Sequence, residues 1–141
     1  MRVEEMILIQ AECLANLNRE AEATSLLEEF VKTYRDPAYS AAAGGRNLKD
    51  EIWFQRRVEL WGEGFSNNDT RRLAKPLVRF QGGKKNNYPD AFRFNMTPDD
   101  GWWLMRFPQT ETNNNAAVVD NKEGSIPKLD QNPDLRDGVT D

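Results

Sequence analysis

Between residues 3 and 17, apolar side chains recur at steps of three and four (Val3, Met6, Ile7, Ala11, Leu14, Leu17), with Glu4, Glu5 and Glu12 on the other face. This spacing matches the 3.6-residue helical turn and predicts an amphipathic helix. Asn18 and Arg19 interrupt the pattern, Ala23, Leu26, Leu27, Phe30, Val31 and Tyr34 resume it, and Pro37 ends it. Proline removes a backbone donor and clashes with the preceding turn, so a second helix stops there. Two helices joined by so short a break have to fold back antiparallel, which commits the first quarter of the chain to a helical hairpin.

Residues 4–37 also have the length of one tetratricopeptide-type repeat, with the small residues Ala11 and Ala23 where two helices would approach closely. Phe30 stands where such repeats want a small residue, and no second copy follows. A lone repeat cannot bury its own face, so further chain has to cover it. Residues 38–46 (AYSAAAGGR) form a small-residue linker. Asn47 then offers a cap for a third helix, expected to run to about Gly64, and residues 67–73 suit a short fourth helix stopped by Pro76. Beyond residue 76, Gly, Asn and Pro punctuate short aromatic segments without a sustained period, which predicts ordered loop with at most a strand pair. From about Asn113 the chain is rich in Asn and Asp, and an extended tail that wraps or stays mobile is expected. The expected fold is therefore mainly α in one domain, 1–141: a helical scaffold over 1–75, made of the hairpin, one long helix and one short helix, followed by a loop-rich segment over 76–141.

Composition narrows the chemistry. The 141 residues suffice for one hydrophobic core. Histidine is absent and Cys13 is the single cysteine, which removes internal disulfides, Cys/His zinc sites and every mechanism that needs imidazole. Cys13, next to Leu14 in a helical stretch, is expected as a small buried apolar side chain. The net charge is -4 and no polybasic run is present, so neither nucleic acid nor an anionic membrane surface is expected as a partner. No apolar run approaches the roughly 20 residues that span a bilayer, and the opening MRVEEMILIQAE is acidic where a signal peptide would be basic then apolar. No catalytic residue, metal or cofactor is expected.

On the third helix, Phe54, Val58, Trp61 and Phe65 form one predicted apolar stripe, Trp53 and Leu60 add a second apolar strip, and Arg56, Glu59 and Glu63 cluster nearly opposite the first, with Leu48 and Ile52 close to them, so that large apolar residues hem the charges in. Glu59 and Glu63 admit two readings. A carboxylate pair can serve glycoside hydrolysis, although residues one turn apart are surface neighbours and no other catalytic group is in view. The reading the composition favours is an ion-pair network in which Arg56, Arg57 or Arg71 bridge carboxylates between helices and hold their register.

The segment QRRVELWGEGFSNNDTRRL (55–73) resembles the stretch E-R-R-x-E-L-x-x-E-G-x-R-x-x-D-L-x-R near the carboxy terminus of SusD/RagB proteins. Arg56, Arg57, Glu59, Leu60, Glu63, Gly64, Asp69 and Arg72 match, while Gln55, Ser66 and Thr70 stand for the family's acid, Arg and Leu. MILIQAECLANLNREAEATSLL (6–27) is similar to the family's preceding helical repeat. LMRFPQTETNNN (104–115) resembles its closing L-x-P-I-P-x-x-E-I-x-x-N segment, through Phe107, Pro108, Gln109, Glu111 and Asn115, and Gln131-Asn132-Pro133 repeats the Q-N-P ending. Residues 74–103 have no clear counterpart.

The resemblance implies a non-enzymatic component of a Bacteroidetes cell-surface lipoprotein with a tetratricopeptide-like helical scaffold. Such proteins cap a TonB-dependent outer-membrane transporter of the SusC type and deliver an oligosaccharide or peptide to it. Family members are much longer, so the chain is expected to be a carboxy-terminal part whose lipidated amino terminus lies outside it. The alternative, resting on residues 4–37 alone, is a tetratricopeptide-type protein-interaction scaffold. Independently of the resemblance, Trp102, Trp103, Tyr88 and Phe92 are aromatics in a Gly/Pro/Asn-rich region, and an exposed flat ring suits a sugar face. Adjacent residues often point opposite ways, so one of Trp102 and Trp103 is expected to be buried. Asn113-Asn114-Asn115 and Asn86-Asn87 are solvated turn residues or donors to sugar hydroxyls.

Overall fold

The computed structural model describes residues 2–81, 88–119 and 131–139, so Asn86 and Asn87 lie outside the described residues. The described chain is mainly helical: α1 (Val3–Asn16), α2 (Glu20–Tyr34), α3 (Leu48–Glu59), α4 (Phe65–Arg72) and a short α5 (Gln109–Asn114), with single 3-10 turns at Asp90–Phe92 and Gly101–Trp103. It divides into two compact units, Met1–Asp69 and Thr70–Asp141.

In the first unit α1 and α2 form the hairpin. Glu4 and Glu5 in the first turn of α1 face the positive end of its dipole. The helix ends in a Schellman motif: the Asn18 amide donates to Ala15 O at 3.3 Å and the Arg19 amide to Leu14 O at 2.9 Å, with Asn18 at φ 58°. Asparagine is among the few non-glycine residues that tolerate this left-handed conformation. Leu8, Ala11 and Ala15 of α1 meet Ala23, Leu27, Phe30 and Val31 of α2, and Ala41 and Ile52 complete the core. Ala11 and Ala23 are both fully buried, as close helix approach requires. The inward face of α1 is turned from the expected one. Ala11 is buried and Ile7 and Leu14 pack on the core as expected, but Leu8 and Ala15 also point in, whereas Val3, Met6 and Leu17 are exposed. Cys13, expected inside, is exposed as well, because the buried positions 8, 11 and 15 lie on another side of the helix.

Asn47 caps α3 as expected, its Oδ1 accepting from the Asp50 amide at 3.0 Å while its Nδ2 donates to Asp50 Oδ2 at 2.6 Å. The helix is shorter than predicted. It stops at Glu59 and α4 begins at Phe65, since Gly62 and Gly64 take φ 79° and 83°, which no α-helix continues through. Its buried side includes the second predicted strip, Trp53 and Leu60, together with Ile52 and Arg56, and not the first: Val58 is 57% and Trp61 84% exposed. The charged side of α3 thus faces inward.

The second unit has no strand among its described residues; where a strand pair was expected, Leu77 and Met96 form one antiparallel bridge. Its buried residues are Phe80, Asn95, Met96, Asp137 and Val139. Asn95 is fully buried and its amide is saturated. Oδ1 accepts from the Arg79 and Phe80 amides at 2.7 and 3.1 Å, and Nδ2 donates to Phe80 O and Asn132 O at 2.9 and 2.7 Å. This side chain binds residues 131–139, part of the expected tail, to the segment around the bridge. Lys75 adds a bond from Nζ to Asp137 O at 3.2 Å. The start of that tail, Asn113 and Asn114, instead closes α5.

Candidate functional site

The residues singled out on α3 and α4 enter three polar clusters of the first unit. The first is centred on Glu59, whose side chain is 7% exposed. Arg35, just past the end of α2, donates from Nε and Nη2 to its two oxygens at 2.8 and 2.6 Å, a fork that matches carboxylate geometry. Arg2, just before α1, donates from Nη2 to Glu59 Oε1 at 2.8 Å and from Nη1 to Glu63. An antiparallel hairpin brings the start of α1 and the end of α2 to the same end, and Glu59 closes that end with the end of α3. Glu59 and Glu63 are therefore joined through one arginine.

The second cluster is buried. Arg56 Nε donates to Asp69 Oδ2 at 2.6 Å and Nη2 to Glu5 Oε1 at 3.4 Å, linking α3 to α4 and α1. The guanidinium lies 5.4 Å from the centre of the Phe65 ring, and its Nη1 has no hydrogen-bond partner among the described residues. Arg57, half-buried, has its guanidinium 5.0 Å from the centre of the Trp53 ring of the same helix. In the third cluster, buried Glu51 accepts from Tyr39 Oη at 2.7 Å, Gln55 Nε2 at 2.9 Å and Arg46 Nη1 at 3.1 Å. Burial, and then the Glu51 carboxylate beside it, push the Tyr39 phenol above its ordinary pKa. Among the described residues no group of Cys, Asp or Glu is placed to hold a metal ion.

Arg71 lies in the second unit. It lines a shallow depression of about 270 Å³ formed with residues 98–104, where Asp99, Asp100 and Trp103 make the walls. Asp100 Oδ1 accepts from the Trp102 amide at 2.9 Å and shapes the turn that carries both tryptophans. Neither tryptophan is buried, in contrast to the expectation. Trp103 is half-buried and its Nε1 donates to Thr97 O at 2.8 Å, while Trp102 is exposed, because the single turn lies on the surface of its unit and supplies too few neighbours to cover two indoles. The Arg106 guanidinium lies 5.7 Å from the Trp102 ring. Tyr88 and Phe92 are exposed on either side of the loop that ends in the first 3-10 turn. Arg79 gathers this group: its guanidinium lies 5.2 Å from Tyr88 and 4.5 Å from Phe94, and its Nη1 donates to Phe92 O at 3.4 Å.

The sequence reading did not single out Arg2, Arg35 or Asn95. The two arginines were within reach, since an antiparallel hairpin places both beside one another at one end. Asn95 offered no local signal, because its partners lie 15 and 37 residues away along the chain.

No curated protein and no solved structure matches the chain. The family model described as the SusD family matches residues 1–133. That span takes in the hairpin, the charged clusters of α3 and α4, the aromatic loops and the Gln131-Asn132-Pro133 segment held by Asn95. The chain belongs to the SusD family of nutrient-binding proteins.

Proposed function

We propose that the chain works in a cell-surface carrier that binds oligosaccharide or peptide and hands it to a TonB-dependent transporter of the SusC type. The carrier would be held at the outer membrane by a lipidated amino terminus outside these residues, and the 141 residues would act together as one carboxy-terminal domain. Family membership over residues 1–133 is the observation that carries this reading. It agrees with the character of the polar clusters. Arg56, Glu59 and Glu63 are engaged with side chains of other elements in a geometry that suits clamping helices, and Arg57 lies against Trp53 of its own helix. Ligand contact falls to the rings of the second unit, the exposed Trp102, Tyr88 and Phe92 and the half-buried Trp103. A ring standing on a well-hydrogen-bonded turn is a pre-organised platform for a sugar face.

Calorimetric titration with an oligosaccharide panel tests the reading. Trp102→Ala and Tyr88→Ala are each expected to weaken the bound member by about 0.5–1.5 kcal/mol, the value of a ring contact beyond its area. Unchanged affinity in both variants would remove these rings from the site. A second reading, a peptide-capturing helical scaffold, draws on the groove lined by Ile7, Leu26, Phe30 and Tyr34 between α1 and α2. It predicts that Tyr34→Ala, and neither loop variant, impairs capture of a partner peptide.

A further inference from the structure

The depression at the end of α4 is lined by two opposite charges that are not paired with one another. Arg71 and Asp99 are both exposed there, and neither makes a hydrogen bond or an ion pair through its side chain among the described residues. The backbone that carries each is hydrogen-bonded in place. Arg71 sits in the last turn of α4, and its carbonyl accepts from the Ala74 amide at 3.1 Å. Asp99 belongs to the turn in which the Asp100 amide donates to Thr97 O at 3.2 Å and the Trp103 amide to Asp100 O at 3.0 Å. The Trp103 indole, anchored to the same turn by its Nε1 bond to Thr97 O at 2.8 Å, adds an apolar wall. Asp100, the other carboxylate of the depression, already accepts from the Trp102 amide at 2.9 Å.

A guanidinium only donates and a carboxylate only accepts, so a ligand seated between them has to offer an acceptor to Arg71 and a donor to Asp99. A hydroxyl is both, and neighbouring hydroxyls on one sugar ring present the two functions side by side. A ligand of one net charge loses at one wall: a cation meets the like charge of Arg71, and an anion meets Asp99 and Asp100. The depression, about 270 Å³, is just smaller than the roughly 300–1,000 Å³ of pockets that enclose a drug-sized ligand, which suits one end of an oligosaccharide. Trp103 offers the C–H face of such a unit an apolar surface. Resting on the carrier reading above, we infer that Arg71 and Asp99 are ligand-binding residues, which grip the hydroxyls of one uncharged glycosyl unit beside Trp103 and so favour neutral oligosaccharides over charged ones.

The test is calorimetric titration of the full chain with neutral galacto-, xylo- and malto-oligosaccharides, an oligogalacturonate, a chitosan oligomer with its amines protonated, and trialanine. A neutral member is expected to bind more tightly than either charged oligomer, with an affinity that about 0.5 M NaCl leaves unchanged, since no ion pair forms with it. Arg71→Ala and Asp99→Ala are each expected to weaken that member about three- to tenfold, the worth of one hydrogen bond. Both side chains are exposed, so neither variant threatens the fold. Selectivity is expected to move in opposite directions: Asp99→Ala narrows the gap between the neutral member and the oligogalacturonate, and Arg71→Ala narrows the gap to the chitosan oligomer. A merely structural role would move neither. Neutral affinity unchanged in either variant, or a charged oligomer preferred by the unaltered chain, would overturn this inference, and the sugar bound would keep the carrier reading standing. Trialanine bound more tightly than every sugar, and weakened by both variants, would overturn the sugar assignment and give the depression to the charged ends of a peptide. Binding of none of the probes by the folded chain would overturn both readings.

Discussion

Arg56 is 5% exposed and its best partner, Asp69, is 3% exposed, so both charges have been taken almost completely out of water. Desolvation of two ions costs several kcal/mol, and only close geometry and further hydrogen bonds offset it. The 2.6 Å contact, the second carboxylate of Glu5 and the Phe65 ring supply that offset. Removing one partner leaves the other buried and unpaired. Arg56→Met is therefore expected to lower stability by about 3–5 kcal/mol in urea denaturation, while Arg56→Met with Asp69→Leu recovers most of the loss. A double variant as unstable as the single one would mean that the stranded Asp69 charge is not what costs the stability. The motif residues Arg56 and Asp69 could be picked out in the sequence, but their burial could not. Hydrophobic periodicity assigns polar residues to the outside, and α3 reverses that rule through mutual pairing.

At the scale of the element, the helix ends set by local chemistry were legible, the end of α3 apart, and so was the face of α2, while the faces of α1 and α3 were only partly so. Asn47, Pro37 and the Asn18-Arg19 break act within a few residues of themselves, so their effect follows from local chemistry. The ends of α1 and α4 repeat one motif with different residues. Beyond α4, the Ala74 amide donates to Arg71 O at 3.1 Å and the Lys75 amide to Thr70 O at 2.9 Å, with Ala74 at φ 50°. This is again a Schellman closure, now with a Cβ-bearing residue where glycine is favoured. Left-handed backbone costs a non-glycine residue about 1–2 kcal/mol, partly offset by the smaller chain entropy that alanine loses on folding. Ala74→Gly is accordingly expected to raise stability by up to about 1 kcal/mol, seen as a higher melting temperature. A fall would show that the exposed methyl group is worth more than the strain it carries.

For the molecule as a whole, the two units are built by different means. The first has a hydrophobic core drawn from three helices and the 38–46 linker. The second has little regular structure and relies on polar ties, of which the four hydrogen bonds of the Asn95 amide are the most concentrated. Asn95→Ala would strand the buried amide and carbonyl of Phe80 and the part-buried Arg79 amide and Asn132 carbonyl, at about 1–3 kcal/mol for each buried group left without a partner. Hydrogen exchange is expected to accelerate in residues 77–96 and 131–139, with α1 to α3 keeping their protection. Equal acceleration in α1 to α3 would mean that the units unfold as one.

By itself, the sequence determined the hairpin, the Asn47 cap, the succession from helices to loops, the membership signalled by the 55–73 segment and the exclusion of imidazole chemistry and internal disulfides. All of these depend on residue type and short-range spacing, which a linear chain states outright. Only the tertiary structure decided that Cys13 faces outward and that the charged side of α3 is the buried one. It likewise decided that Glu59 joins Arg2 to Arg35 and that Asn95 ties down the 131–139 segment. A helix periodicity shows that one side is apolar, but the side that is buried is chosen by what packs against it. A hydrogen-bond partner tens of residues away leaves no mark in the local sequence.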